Sequence, residues 1–424
     1  MHRRIYQCLI RSVKLLLSRR GAIWLAVFAL FLAGLACWLT IFSRAHQEGD
    51  EWIYRALVQQ LDAGRGYTLQ GHPLLEEGYI VRETYGKSLF FHPPGGLGFF
   101  WIMHRFFGET GFGLAQLVSY TVFFWAIMLL AKLVLDPMSN LQAIVTASLS
   151  AFTPIMTHVT ARFWLDGPLL AAATGAVALF LLAYKREKLL WACAAGVLLG
   201  YAALIKPTAI LILPGLVALA WAVGPRNSWR TLTIYTLFVL GIAACFLLPW
   251  EVYRWTVVGN PFAISPGRPA PELVATNRYV YFLTVVRSPW SYLSLLPRVV
   301  WTVVPSLLLL AFQWPIPAVR RIGLALLIWI AFVLAVNIGL GFVGYSKLLR
   351  YVILLTPATI LLFSLVVGSA WERLASGQSL PGGKIVTSAL LALALVGGTL
   401  EIVQGIKNPL EKTSDLILPL WGRE

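Results

Sequence analysis

Asp50 and Glu51 open the stretch DEWIY (50–54), and Asp166 stands alone in RFWLDGPLL (162–170). Each acid lies just outside a long apolar run. A carboxylate held there can act as a general base or bind a hard cation. Two at similar depth can share one divalent ion or divide acid–base work. Glu51 is placed to assist Asp50. Helix capping and an ordinary acidic first turn are the plainer alternatives, and both remain open. Four cations accompany the acids. Lys206 in ALIKPTAILILP (203–214) and Arg350 in GYSKLLRYVILLTP (344–357) flank apolar runs. There they either snorkel toward water or meet a phosphate anion. Arg82 and Lys87 lie in polar chain beside an interface, where lipid headgroups are natural partners. His92 precedes Pro93 and Pro94, and Tyr54 closes the DEWIY stretch. A lone histidine before two prolines reads first as a helix start and second as a ligand.

The elements that must position these groups are membrane spans. The chain has 424 residues, 58% of them hydrophobic and only 12% charged. Soluble domains carry roughly 25% charge. Apolar runs of about 20 residues recur, long enough to cross the hydrocarbon core. They fall near 22–42, 112–132, 141–158, 168–184, 189–205, 207–223, 231–250, 296–313, 322–342, 351–370 and 385–403. The expected fold is therefore all-α, a polytopic bundle of about eleven spans. The run at 22–42 reads as an uncleaved anchor after a basic N-terminus, residues 1–21. The main body is 22–403, followed by a short outer tail at 404–424. Cys8, Cys37, Cys193 and Cys245 show no paired metal spacing, and no disulfide is expected.

The net charge of +16 does not point to nucleic acid. Basic residues gather in the inner loops of membrane proteins. Arg3, Arg4, Arg11, Lys14, Arg19 and Arg20 place the N-terminus inside. Alternation then puts YKREK (184–188), PRNSWR (225–230), PAVRR (317–321) and WERLASGQSLPGGK (371–384) inside too, each with at least two basic residues. The long segments 43–111 and 251–295 fall outside, with Asp166, Lys206 and Arg350. Unusual polar groups thus converge on one face, as an extracytoplasmic active site requires. Transporters place ionisable groups within spans, where this chain has few.

The first outer segment is the richest. Ile53, Ala56, Leu57 and Leu61 recur at helical spacing after Asp50, which predicts an amphipathic helix on the membrane surface. HPP (92–94) predicts a second such helix, carrying Phe99, Phe100, Trp101, Phe106 and Phe107.

Six motifs together resemble the GT-C superfamily of integral-membrane glycosyltransferases. The nearest branch holds the dolichyl-phosphate-mannose protein mannosyltransferases, the lipid A aminoarabinose transferases and related lipopolysaccharide sugar transferases. DEWIY (50–54), GKSLFFHPPGGLGFFW (86–101) and RFWLDGPLLAAATGAVALF (162–180) are similar to the family's early elements. LIKPTAILILP (204–214), LLPWEVYRWTVVGNPF (247–262) and LLRYVILLTPA (348–358) follow in family order. The resemblance implies inverting transfer of a sugar from a polyprenyl-phosphate carrier to an extracytoplasmic acceptor. It implies Asp50 as base or metal-binding carboxylate with Glu51 beside it, and Asp166 as the second acid. Lys87, Lys206 and Arg350 become contacts for the donor phosphate. Other loop candidates are Tyr54, Arg82 and His92. A divalent cation on Asp50 and Asp166 is the one cofactor considered. The implied site lies on the periplasmic face of a bacterial inner membrane. Rival classes are a lipid-linked glycan ligase or polymerase, a glycolipid flippase and a non-catalytic assembly protein.

Overall fold

A computed structural model describes residues 19–44, 50–79, 86, 88–90, 92–224, 229–258, 300–342, 349–378 and 380–407. Every described element is a helix. The first four are α1 (Arg19–Arg44), α2 (Asp50–Asp62), the short α3 (Pro73–Glu76) and α4 (Pro94–Phe107). There follow α5 (Thr110–Val134), α6 (Asn140–Phe152), α7 (Pro154–Thr160), α8 (Asp166–Arg186) and α9 (Leu189–Ile205). A 3-10 turn at Pro207–Ile212 leads into α10 (Leu213–Val223), then α11 (Trp229–Val258), α12 (Val303–Gln313) and α13 (Pro317–Phe342). A second 3-10 segment, Leu349–Leu355, precedes α14 (Thr356–Ala375) and α15 (Gly383–Ile406). Seven of these helices are long and apolar enough to cross a membrane, and shorter apolar helices at 189–205, 207–223 and 303–313 accompany them. All eleven expected runs contain helix in their described parts, although residues 300–302 precede the helix of the run at 296–313.

The run at 141–158 departs from a simple span. It breaks at Thr153, which is extended (φ −61°, ψ 134°) because Pro154 follows. A proline ring clashes with a helical backbone at the preceding residue. Three further corners have the same origin: His72, Pro93 and Lys206 are all extended residues directly before a proline.

α8 and α14 form the buried centre, whereas α1, α11 and α15 present most of their apolar surface outward. Leu237, Leu248 and Ile385 are examples of exposed apolar side chains on these outer helices. That inversion suits lipid as the solvent, since burial of apolar groups then gives little drive and close packing takes over. α8 accordingly carries Ala171, Ala172, Ala173, Gly175 and Ala176 among its buried residues. It packs against α5 on one side and α9 on the other.

Candidate active site

Asp50 and Glu51 occupy the first turn of α2, and their environments differ. Asp50 is half-buried, whereas Glu51 is turned into the protein and is 3% exposed. One Glu51 oxygen accepts the backbone N–H of Phe163 at 2.7 Å. The other accepts from the guanidinium of Arg162 at 3.4 Å. Arg162 is fully buried, and its guanidinium lies over the indole of Trp164, 6.0 Å from the ring centroid. Glu51 therefore pins the start of α2 to the 161–165 connection. Arg55, one turn on, reinforces this: it lies 5.5 Å from the ring centroids of both Phe112 and Phe163 and pairs with Glu109 at 3.0 Å.

Asp166 begins α8 and is 2% exposed. Its Oδ1 accepts from Lys206 Nζ at 2.8 Å, and its Oδ2 is buried with no hydrogen-bond partner among the described residues. It is not the helix cap: Leu165 holds that position, and no side chain caps the end. Lys206 is 8% exposed, so it points inward to the carboxylate and does not snorkel. Pro207 sets this direction, because the extended backbone it imposes ends α9 at Lys206.

The glycines of HPPGG bring α4 onto both halves of the ion pair. A Cβ on Gly95 would lie 2.8 Å from the backbone carbon of Leu204, and one on Gly96 would lie 2.6 Å from Leu165. The Gly95 contact is with backbone that cannot give way, so glycine is needed there for α4 to rest on the chain just before Lys206, whereas the Gly96 contact is with the movable tip of the Leu165 side chain. Behind them, Gln116 of α5 donates to the Trp164 carbonyl at 2.9 Å.

Tyr54 is buried, and its ring meets His92 edge-on at 6.2 Å. His92 also contacts Phe90 at 5.8 Å. Tyr67 closes the loop over them. Its hydroxyl donates to the carbonyls of His92 and Pro93, both at 3.1 Å, and its ring stands edge-on to Trp250 of α11. Burial pushes the Tyr67 phenol well above its usual pKa. The described part of the segment between α1 and α5 is thus tied to the ends of α8, α9 and α11 together. Among the expected residues, Asp50, Glu51, Tyr54, His92, Asp166 and Lys206 gather at this end of the bundle.

Arg82 and Lys87 lie outside the described residues, as does the side chain of Arg350. Sequence reasoning passed over Arg162, although it opens the quoted RFWLD motif. Nothing in a single sequence tells a buried arginine from a solvated one. Among the described residues no three His, Cys, Asp or Glu side chains converge on a cation site. Glu51 is engaged at both oxygens and Asp166 at one.

Similarity to known proteins follows the same frame. A family model described as dolichyl-phosphate-mannose-protein mannosyltransferase matches residues 91–250, which include His92, Arg162, Asp166 and Lys206. Apo ArnT from Cupriavidus metallidurans superposes with a TM-score of 0.60 at 16% identity, covering 93% of this chain and 78% of that one. The chain shares the fold of this membrane protein. Two further structures share this fold. ArnT bound to undecaprenyl phosphate gives a TM-score of 0.58 at 15% identity over the same shares. The oligosaccharyltransferase of Archaeoglobus fulgidus gives 0.55 at 13% identity, covering 93% of this chain and 56% of that one. No curated protein sequence matches the chain.

Proposed function

We propose that this protein is a polyprenyl-phosphate-dependent glycosyltransferase that moves a sugar, with inversion, to an acceptor outside the cytoplasm. The observation that carries the reading is the buried Lys206–Asp166 pair with one carboxylate oxygen unpartnered, in the same end cluster as the Glu51 anchor and Asp50. The family match and GT-C fold support a lipid-phosphate donor, as do relatives solved with undecaprenyl phosphate and with dolichol-phosphate. The acceptor class proposed is lipopolysaccharide or lipid A, another envelope glycan, or a protein. The membrane proposed is the bacterial inner membrane, with the site periplasmic. Residues 22–403 act as one catalytic unit.

The acceptor hydroxyl oxygen attacks the anomeric carbon from the face opposite the phosphate. Its new bond to carbon forms as the carbon–oxygen bond to phosphate breaks, and the phosphate leaves with the electron pair. Asp50 receives the hydroxyl proton. Glu51 takes no proton: held by Arg162 and Phe163, it fixes the helix that carries Asp50. Lys206 and Asp166 form a fixed dipolar pair beside the reacting groups. Preorganised charges of this kind stabilise developing charge without reorganisation. Lys87 and Arg350 are the further cations proposed for the donor phosphate.

A divalent cation is a separate proposal, and no step above depends on one. Chelation with EDTA, followed by add-back of magnesium or manganese, tests it: unchanged turnover after chelation removes it. The main test uses purified protein, a polyprenyl-phosphate sugar and a membrane glycolipid acceptor, with acceptor mass as the readout. Asp50→Asn keeps shape but cannot take the proton. Parental turnover in that variant would sink the assignment of Asp50. For the site's sidedness, cysteine at Gly71 in a Cys-free variant should react with an impermeant thiol reagent added outside, and cysteine at Asn227 should not. The opposite pattern inverts the topology.

A further inference from the structure

Glu401 lies in the outer half of α15 and is 1% exposed. A carboxylate at such a position in a spanning helix is costly and calls for a reason. Its three hydrogen bonds come from neutral groups far apart in the chain. Thr153 Oγ1 donates to one oxygen at 2.9 Å. The other oxygen accepts from Thr302 N at 3.1 Å and Thr302 Oγ1 at 2.9 Å. Among the described residues no cation reaches it. One turn on, Gln404 accepts the indole N–H of Trp301 at 2.8 Å.

The surrounding glycines show that α15 is fitted to these two chain junctions. A Cβ on Gly405 would fall 1.6 Å from the Phe152 carbonyl oxygen, and one on Gly397 would fall 3.1 Å from the Trp301 carbonyl. Thr153 is the extended hinge between α6 and α7. α7 is a single short helix, packed on α15 at one side and on α8 and α5 at others. It ends directly before Ala161, and the two residues after that, Arg162 and Phe163, hold Glu51.

We propose that Glu401 is a positioning residue: by fixing Thr153 it sets α7, and through α7 it sets the Arg162–Phe163 grip on the helix carrying Asp50. The assignment rests on the glycosyltransferase reading for its kinetic consequence, though not for its structural one. A carboxylate suits the task because it is acceptor-only and meets three donors. A glutamine can keep all three contacts. Its carbonyl takes both Thr302 donors, and its amide donates to Thr153, whose hydroxyl accepts as readily as it donates. Leucine can keep none of them.

The test therefore compares Glu401→Leu with Glu401→Gln in nanodiscs, by two measurements. Hydrogen exchange by mass spectrometry reads the joint without any substrate. Glu401→Leu should speed exchange in peptides spanning 153–165 while leaving 189–205 unchanged, and Glu401→Gln should match the parent. Steady-state kinetics reads the consequence. Glu401→Leu should lower kcat about ten- to a hundredfold, as small misplacements of catalytic groups do, with donor KM unchanged and with Glu401→Gln near parental. Parental exchange across 153–165 in Glu401→Leu overturns the proposal. So does equal loss in both variants, which would mark the carboxylate's charge as the active property. A parent that transfers no sugar, yet shows the expected exchange pattern, would refute the glycosyltransferase reading and leave the joint standing.

Discussion

Asp166 and Glu401 are both buried carboxylates near the same end of the bundle, yet they are furnished in opposite ways. Asp166 faces a cation and keeps one oxygen without a partner. Among the described residues Glu401 faces only neutral donors, and both its oxygens are engaged. An unsatisfied buried polar group costs about 1–3 kcal/mol, more when charged. A fold tolerates that cost where a substrate, water or ion completes the site. Full satisfaction by neutral donors instead describes a joint. The contrast separates a group poised for chemistry from one that holds the frame, although both are acids in apolar surroundings.

The isosteric amide is the sharpest way to break this distinction. Asp50→Asn should lower turnover by roughly 10²–10⁴-fold, the usual contribution of a positioned acid–base group, and Asp166→Asn by roughly 10²–10³-fold, as loss of one preorganised electrostatic group does, both with normal amounts of protein in the membrane. Glu401→Gln should leave turnover near parental. Equal losses at 166 and 401, read by acceptor mass, would erase the difference drawn above.

The next effect is on stability. Lys206→Ala leaves Asp166 buried without its cation, and breaking a buried pair from one side costs about 3–5 kcal/mol. Thermal unfolding in detergent should show a large drop. The double variant Asp166→Asn, Lys206→Gln should recover most of it without recovering transfer. A double variant as unstable as Lys206→Ala would mean that packing, and not charge, holds the two ends together.

A smaller effect is expected at Tyr67, a satisfied neutral group between the two cases. Tyr67→Phe removes two hydrogen bonds made by one hydroxyl and should cost about 0.5–1.5 kcal/mol. Its pH dependence gives a second readout. Burial raises the folded phenol's pKa, so the unfolded phenol ionises first, near its ordinary value of about 10. The contribution is full below that value and is lost as pH rises toward the folded pKa. Melting measured between about pH 9 and 11 should fall less in Tyr67→Phe than in the parent. Identical slopes would place the ring in water.

Much of the frame was legible because the bilayer demands it. Long apolar runs and basic loops have few interpretations, so the spans and the gathering of polar groups at one end followed from composition and alternation. Asp50, Asp166 and Lys206 stood out as ionisable residues beside apolar runs. Their mutual arrangement did not, because the Lys206–Asp166 contact depends on how α8 and α9 pack. The inward turn of Glu51 depends on a loop 112 residues away. Glu401 was overlooked for a related reason: a single acid near the end of the run at 385–403 looks like the run's polar edge. Its partners, Thr153 and Thr302, carry no periodic or charge signal. Pro154 was visible in the sequence, yet the apolar residues on both sides masked its effect on the span at 141–158.

The bond between Thr153 and Glu401 joins residues 248 positions apart. Synthesis at about 5–20 residues per second separates their emergence by roughly 12–50 s. Through that interval the hinge before α7 has no carboxylate to hold it, although the helices bearing Asp50, Asp166 and Lys206 have already been made. The half of the molecule that carries the proposed site is therefore made early and locked late, and a chain stalled before α15 would carry every proposed reacting group without the proposed clasp on their spacing.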